Sequence, residues 1–147
     1  MKVYKLTDAK GQTHGGCQWG EGVSHRATGK GKSLCSGAVI HCYSDPLLAV
    51  FASSLHVGFE EETMLLWEAE ADKPINQDAL KLGVKRLTTM GIVEKPVVST
   101  VARVHCAILC ALQVYHETEF VAWANDWLNR KDRTAWAEVW AAGAAET

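Results

Sequence analysis

The sequence predicts one α+β domain: a small glycine-rich mixed or antiparallel sheet followed by a three-helix C-terminal part. Three observations predict it. Eight of the twelve glycines fall between Gly11 and Gly37, so loops and short hairpins are expected there in place of helix. Alternation of apolar and polar side chains over 64–71 marks a half-buried strand. Beyond Ser99 the apolar spacing lengthens to that of a helix. Residues 1–98 are therefore the β-rich part and 99–147 the helical part of a single domain, 1–147, with no linker long enough to separate two.

Each element follows from its own pattern. Residues 2–6 read as a first strand in which Val3 and Lys5 alternate with Tyr4 and Leu6. Within the glycine-rich stretch only 23–27 has strand character. Residues 38–43 follow as a buried strand, with Ala38, Val39 and Ile40 leading into His41, Cys42 and Tyr43. Asp45 before Pro46 is a cap followed by a first-turn proline, which predicts a short helix over 46–52 that Ser53 and Ser54 end. On the strand 64–71, Leu65, Trp67, Ala69 and Ala71 share one face, and Leu66, Glu68 and Glu70 the other. A weaker strand over 80–84 sets Leu80, Leu82 and Val84 against Lys81, Gly83 and Lys85, ahead of turn residues at 88–91. Val101, Val104, Ile108, Leu112 and Tyr115 recur at helical spacing behind Ser99 or Thr100 as cap. Phe120, Trp123, Ala124, Trp127 and Leu128 form a second stripe. Trp136, Val139 and Trp140 form a third behind Asp132.

The composition excludes several function classes. A chain of 147 residues with 48% apolar and 22% charged residues suits one folded domain, not a disordered tail. The formal net charge is -2 and aromatics are not interleaved with basic residues, so nucleic acid is not an expected partner. No apolar run approaches membrane-spanning length and residues 1–8 lack the apolar core of a signal segment, so a cytoplasmic protein with no membrane partner is expected. Five cysteines form an odd count, which fits free thiols in a reducing compartment.

Ligands often bind just beyond the carboxyl end of a buried strand, which makes 35–46 the candidate site, with Cys35, His41, Tyr43 and Asp45 as its binding residues. Zinc is not expected: of the cysteines and histidines only His14 and Cys17 show a metal-type short spacing, and packing explains the others. A nucleophilic cysteine needs a base in reach. His41 and Cys42 point to opposite faces of their strand, an objection Cys35 escapes, yet inert thiols are the commoner case. Cys106 and Cys110 share a helix face and read as packing residues. Glu68 and Glu70 are either a carboxylate pair or a solvated sheet face. The indole pairs Trp123/Trp127 and Trp136/Trp140 are either core or a docking surface, and Trp136 and Trp140 join Trp19 as candidate binding residues.

Tyr4-Lys5, the turn from Gly15 to Gly22 around Gln18-Trp19, the Cys, Gly, His and Pro module of 35–46 and the strand through Trp67-Glu68-Ala69-Glu70 together resemble an uncharacterised family of small phage and prophage proteins. The stretch 103–133, with Val114-Tyr115, Trp123, Trp127 and Asp132-Arg133, is similar to the helical tail of its members. This resemblance implies a viral or prophage origin and carries no settled activity. Joined to the lack of a complete catalytic constellation and to the tryptophan-rich helical end, it leads us to expect a small accessory protein of the host-cell cytoplasm, without a cofactor, that acts by binding and inhibiting a host defence or regulatory protein. Self-association through the C-terminal helices is a further expectation.

A fainter similarity runs to the ADP-ribosyltransferase core. His14-Gly15-Gly16 looks like the element that grips the NAD ribose in that family, and His41 stands where a stacking tyrosine is wanted, with Tyr43 two residues on. That similarity implies NAD as cofactor and His14, His41, Tyr43 and Glu70 as catalytic residues, with the glutamate in an unusual order. A third expectation is capture of a small signalling nucleotide in the same cleft without chemistry.

Overall fold

The computed structural model describes residues 1–56 and 58–131. By its internal contacts the chain divides at Val98 into a sheet unit, Met1–Val98, and a second unit, Ser99–Thr147, described as far as Lys131. The fold is α+β.

The sheet unit contains β1 (Lys2–Thr7), β2 (Gln12–Thr13), β3 (Cys17–Gln18), β4 (Ser24–Arg26), β5 (Ile40–Cys42), α1 (Pro46–His56), β6 (Leu65–Ala71), β7 (Asn76–Gln77), β8 (Leu82–Val84) and β9 (Arg86–Val93). All its pairings are antiparallel. One sheet has the order β1-β6-β9-β4 and a second the order β5-β8-β7. Only Lys85 separates β8 from β9, so the two act as one long bent strand shared by both sheets. Tyr4 and Tyr43 exchange backbone hydrogen bonds of 2.8 and 2.9 Å, which joins β5 to β1. The pairing thus runs full circle, β1 to β6 to β9 and β8 to β5 and back, as in a small barrel. Its inward side chains form one core of Val3, Cys42, Ala69, Leu82, Val84 and Leu87, with Trp19 laid across it.

Strand alternation sends the remaining apolar residues outward, onto α1. Leu6, Leu66, Met64 and Tyr43 pack there with Ala49, Val50 and Ala52. The helix begins as its sequence dictates: Asp45 Oδ1 accepts from the amides of Leu47 and Leu48 at 2.8 and 3.2 Å, and Pro46 takes the first helical position. It continues to His56, past the expected stop at Ser53, because the Ser53 hydroxyl bonds back to the Val50 carbonyl at 2.8 Å and stays within the helix. Met90 is an extra residue of β9 opposite β6, since Glu68 pairs with Gly91 and Ala69 with Thr89.

The glycine-rich stretch becomes a tight hairpin and an irregular loop. His14–Gly16 turns the chain between β2 and β3, with Gly15 and Gly16 at φ of 75° and 73°, a backbone region that side chains disfavour. Further on, a Cβ on Gly29 would stand 2.5 Å from the Gly37 backbone, so only glycine permits this close crossing. The loop is fastened by the Lys85 ammonium, which donates to the carbonyls of Gly29 at 3.0 Å and Ala38 at 2.6 Å.

The second unit holds α2 (Thr100–Ala111) and α3 (Thr118–Leu128). Ser99 caps α2, its side chain accepting from the Ala102 amide at 3.2 Å. Ile108, Phe120, Ala124 and Trp127 are buried between the helices. The third expected stripe, with Trp136 and Trp140, lies outside the described residues.

Candidate functional site

Where β1 and β5 meet the glycine-rich loop, the sheet unit opens into a cavity of about 700 Å³. That volume suits a small-molecule ligand. Lys5, Trp19, Cys35, His41, Tyr43 and Lys81 define its walls, and His14 lines it from the hairpin turn. Five of the residues singled out from sequence, His14, Trp19, Cys35, His41 and Tyr43, are therefore brought together. Asp45 is not among the lining and serves as the cap of α1. Glu70 is exposed on β6, paired opposite Lys2 and Thr88, and does not line the cavity.

Each wall residue is held by its neighbours. His41 is half-buried, and its Nε2 accepts from the Cys35 backbone amide at 2.9 Å, which assigns the proton of a neutral imidazole to Nδ1. The histidine thus steadies the cysteine loop through its backbone. Cys35 itself is exposed and adopts a φ of 59°, in the left-handed region. Tyr43 is a core residue, only 3% exposed, that belongs to the packing against α1 and also borders the cavity. Burial pushes its phenol up to about 12, helped by Cys42 and Asp78, so it remains a hydrogen-bond donor at neutral pH. Trp19 is likewise almost fully buried, and its indole N–H donates to Thr13 Oγ1 at 3.0 Å.

Sequence reasoning missed the two lysines. Lys5 follows Val3 in the inward phase of β1, and its ammonium donates to the His41 carbonyl at 2.7 Å and lies 5.4 Å from the centre of the Trp19 ring. Burial lowers its pKa to about 8, against a smaller upward pull from Cys42 and Cys17. Lys81 is 8% exposed, and its ammonium donates to Cys35 Sγ at 3.0 Å. Neither ammonium pairs with a carboxylate among the described residues, and no aspartate or glutamate lines the cavity. A lysine in the apolar phase of a strand, as at position 5, was the available signal. Position 81 offered none: Lys81 precedes β8, and its alternation with Leu80 and Leu82 assigns it to a polar face.

Arranged this way, the site presents two cations, a phenol, an imidazole and an indole edge to a single volume. Such a set has the chemistry to complement an anion. Among the described residues no three histidine, cysteine, aspartate or glutamate side chains are placed to hold a metal ion. All five cysteines are free thiols. Cys42 sits in the barrel core, where burial pushes its thiol up to about 11. No helix among the described residues is long and apolar enough to cross a membrane. Compared with known protein families, curated proteins and solved structures, the chain matches none.

Proposed function

We propose that the chain is a binding protein that captures a small anionic ligand, carrying phosphate or carboxylate, in the cavity between β1, β5 and the glycine-rich loop. One observation carries this reading: two lysines line the same cavity, and among the described residues neither ammonium forms an ion pair with a carboxylate. Positive charge withdrawn from water is costly until a counter-charge meets it, and a bound anion supplies one. Trp19 and Tyr43, both core residues, border the cavity and give it an apolar wall. Signalling nucleotides are the first class to test. The resemblance to phage proteins and the five free thiols support a cytoplasmic setting, in which the protein depletes a host signal by holding it. Transfer chemistry on NAD is less well served, since Glu70 is not at the cavity.

Calorimetry with a panel of mononucleotides, cyclic dinucleotides and NAD tests the proposal, together with mass spectrometry of ligand released on denaturation. The expected result is heat from at least one anion, reduced at least about tenfold in affinity by Lys5→Gln or Lys81→Gln. No heat at millimolar concentrations and no released anion would overturn it. Docking on a host protein is a second reading. It is favoured by the exposed apolar side chains of Val101, Leu109 and Val114 in the helical unit, and a pull-down that Leu109→Glu abolishes would support it.

A further inference from the structure

Lys5 differs from the other basic residues of the sheet unit. The ammoniums of Lys2 and Lys95 sit at the surface against Glu68 and the carbonyls of Glu61 and Glu62, and that of Lys85 serves the glycine loop. Lys5 places its amine in the wall of the one cavity described above, with a backbone carbonyl as its hydrogen-bond acceptor and an indole beside it. A carbonyl acceptor steers the amine without neutralising it. The neighbouring thiol of Cys42 is buried and stays protonated at neutral pH. A second cation, Lys81, stands at the same cavity. These are the parts that a carbonyl-capturing amine uses: a partly dehydrated nucleophile and a second ammonium that can donate to the carbonyl oxygen or meet the charged end of the ligand.

We propose that Lys5 is a covalent binding site whose amine condenses with the aldehyde or ketone group of a small anionic carbonyl compound to form an imine. This rests on the reading of the cavity as an anion site and adds a bond to it. The lone pair of the neutral amine attacks the carbonyl carbon, a C–N bond forms, and one proton passes through solvent from nitrogen to the former carbonyl oxygen to give a carbinolamine. A second proton reaches that oxygen from solvent, the C–O bond breaks with loss of water as the nitrogen lone pair forms the C=N bond, and the iminium nitrogen returns a proton to solvent. Amine and carbonyl compound yield imine and water, and nothing is oxidised or reduced. Burial favours the first step, because an amine titrating at about 8 is neutral in roughly one molecule in ten at pH 7, far above an ordinary lysine.

The test uses the full chain and glyoxylate, with sodium cyanoborohydride to reduce any imine to a stable secondary amine, and peptide mapping to find the modified residue. Lys5 is expected to carry the adduct about tenfold more often than the average of the other nine lysines. Acetaldehyde, which has no anionic group, is expected to label it less. Lys5→Arg keeps the charge and removes the nucleophile, and should abolish selective labelling. If that variant does not fold, Lys81→Gln reports independently, lowering the glyoxylate yield at Lys5 while leaving the nucleophile in place. Labelling spread evenly over the lysines, or equal labelling by the two aldehydes, overturns the proposal. Heat from an anion in calorimetry without a Lys5 adduct overturns the covalent step alone and leaves the binding function standing.

Discussion

Lys5 occupies the inward phase of β1 in line with Val3 and Thr7, where an aliphatic residue would pack more cheaply. Its folded-state pKa of about 8 lies below the ordinary lysine value of 10.5, so the charged form is disfavoured by folding. The sign of the pH dependence follows. Below pH 8 both the folded and the unfolded chain carry this proton, and the cost of burying the charge is present in full. As pH rises above 8 the folded chain loses the proton first, the unfolded chain binds more protons, and stability rises. Cys42 and Tyr43 oppose this at higher pH. Their folded-state values are raised to about 11 and about 12, so stability falls once the unfolded thiol ionises near 9 and the unfolded phenol near 10. From pH 8 to 9 the lysine outweighs the thiol, whose smaller contribution largely drops out of a comparison with a variant at position 5. Urea unfolding is expected to show wild type gaining about 1 kcal/mol on Lys5→Met across that unit of pH. A constant difference between the two proteins would show that the amine is not buried as described.

At the level of elements, the cavity depends on a loop with little secondary structure of its own. Between β4 and β5 the chain crosses itself at Gly29 and Gly37, whose backbones bond at 3.0 Å, and Lys85 gathers the carbonyls on one side. Lys85 does not line the cavity, yet it fixes the loop that carries Cys35. Lys85→Met leaves those carbonyls without their charged donor. Hydrogen exchange at the Gly29 amide is expected to accelerate by about tenfold or more, and anion affinity to fall, with thermal stability lowered less than by a change in the barrel core. Unchanged exchange at Gly29 would show that the loop holds its shape without the lysine. Much of this level was legible in the sequence. β1, β6, the cap at Asp45 and both described C-terminal helices follow local periodicity, with capping at α1 and α2, and Cys35, His41 and Tyr43 of the 35–46 module line one cavity. The rest was not legible for a physical reason. Closure of the sheet depends on the Tyr4–Tyr43 bridge and on the pairing of β5 with β8 and of β6 with β9, long-range pairings without a local signature. For the same reason Lys81 and Cys35, 46 positions apart, give no sign in sequence of meeting.

For the molecule as a whole, the division at Val98 has a consequence for where function resides. Both core clusters of the sheet unit, the pairing that closes its barrel and every residue lining the cavity fall within Met1–Val98. The buried residues of α2 and α3 form a separate cluster. A unit of this size is small but buries enough surface to fold without disulfides or metal. A chain ending at Val98 is accordingly expected to unfold in one cooperative thermal transition and to bind the same anion within about threefold of the affinity of the full chain. Circular dichroism and calorimetry on the two lengths decide the matter. If the short chain melts without cooperativity, the sheet unit needs the helices to stand. If it folds but no longer binds, the ligand contacts residues beyond Val98, and the cavity described here is only part of the site.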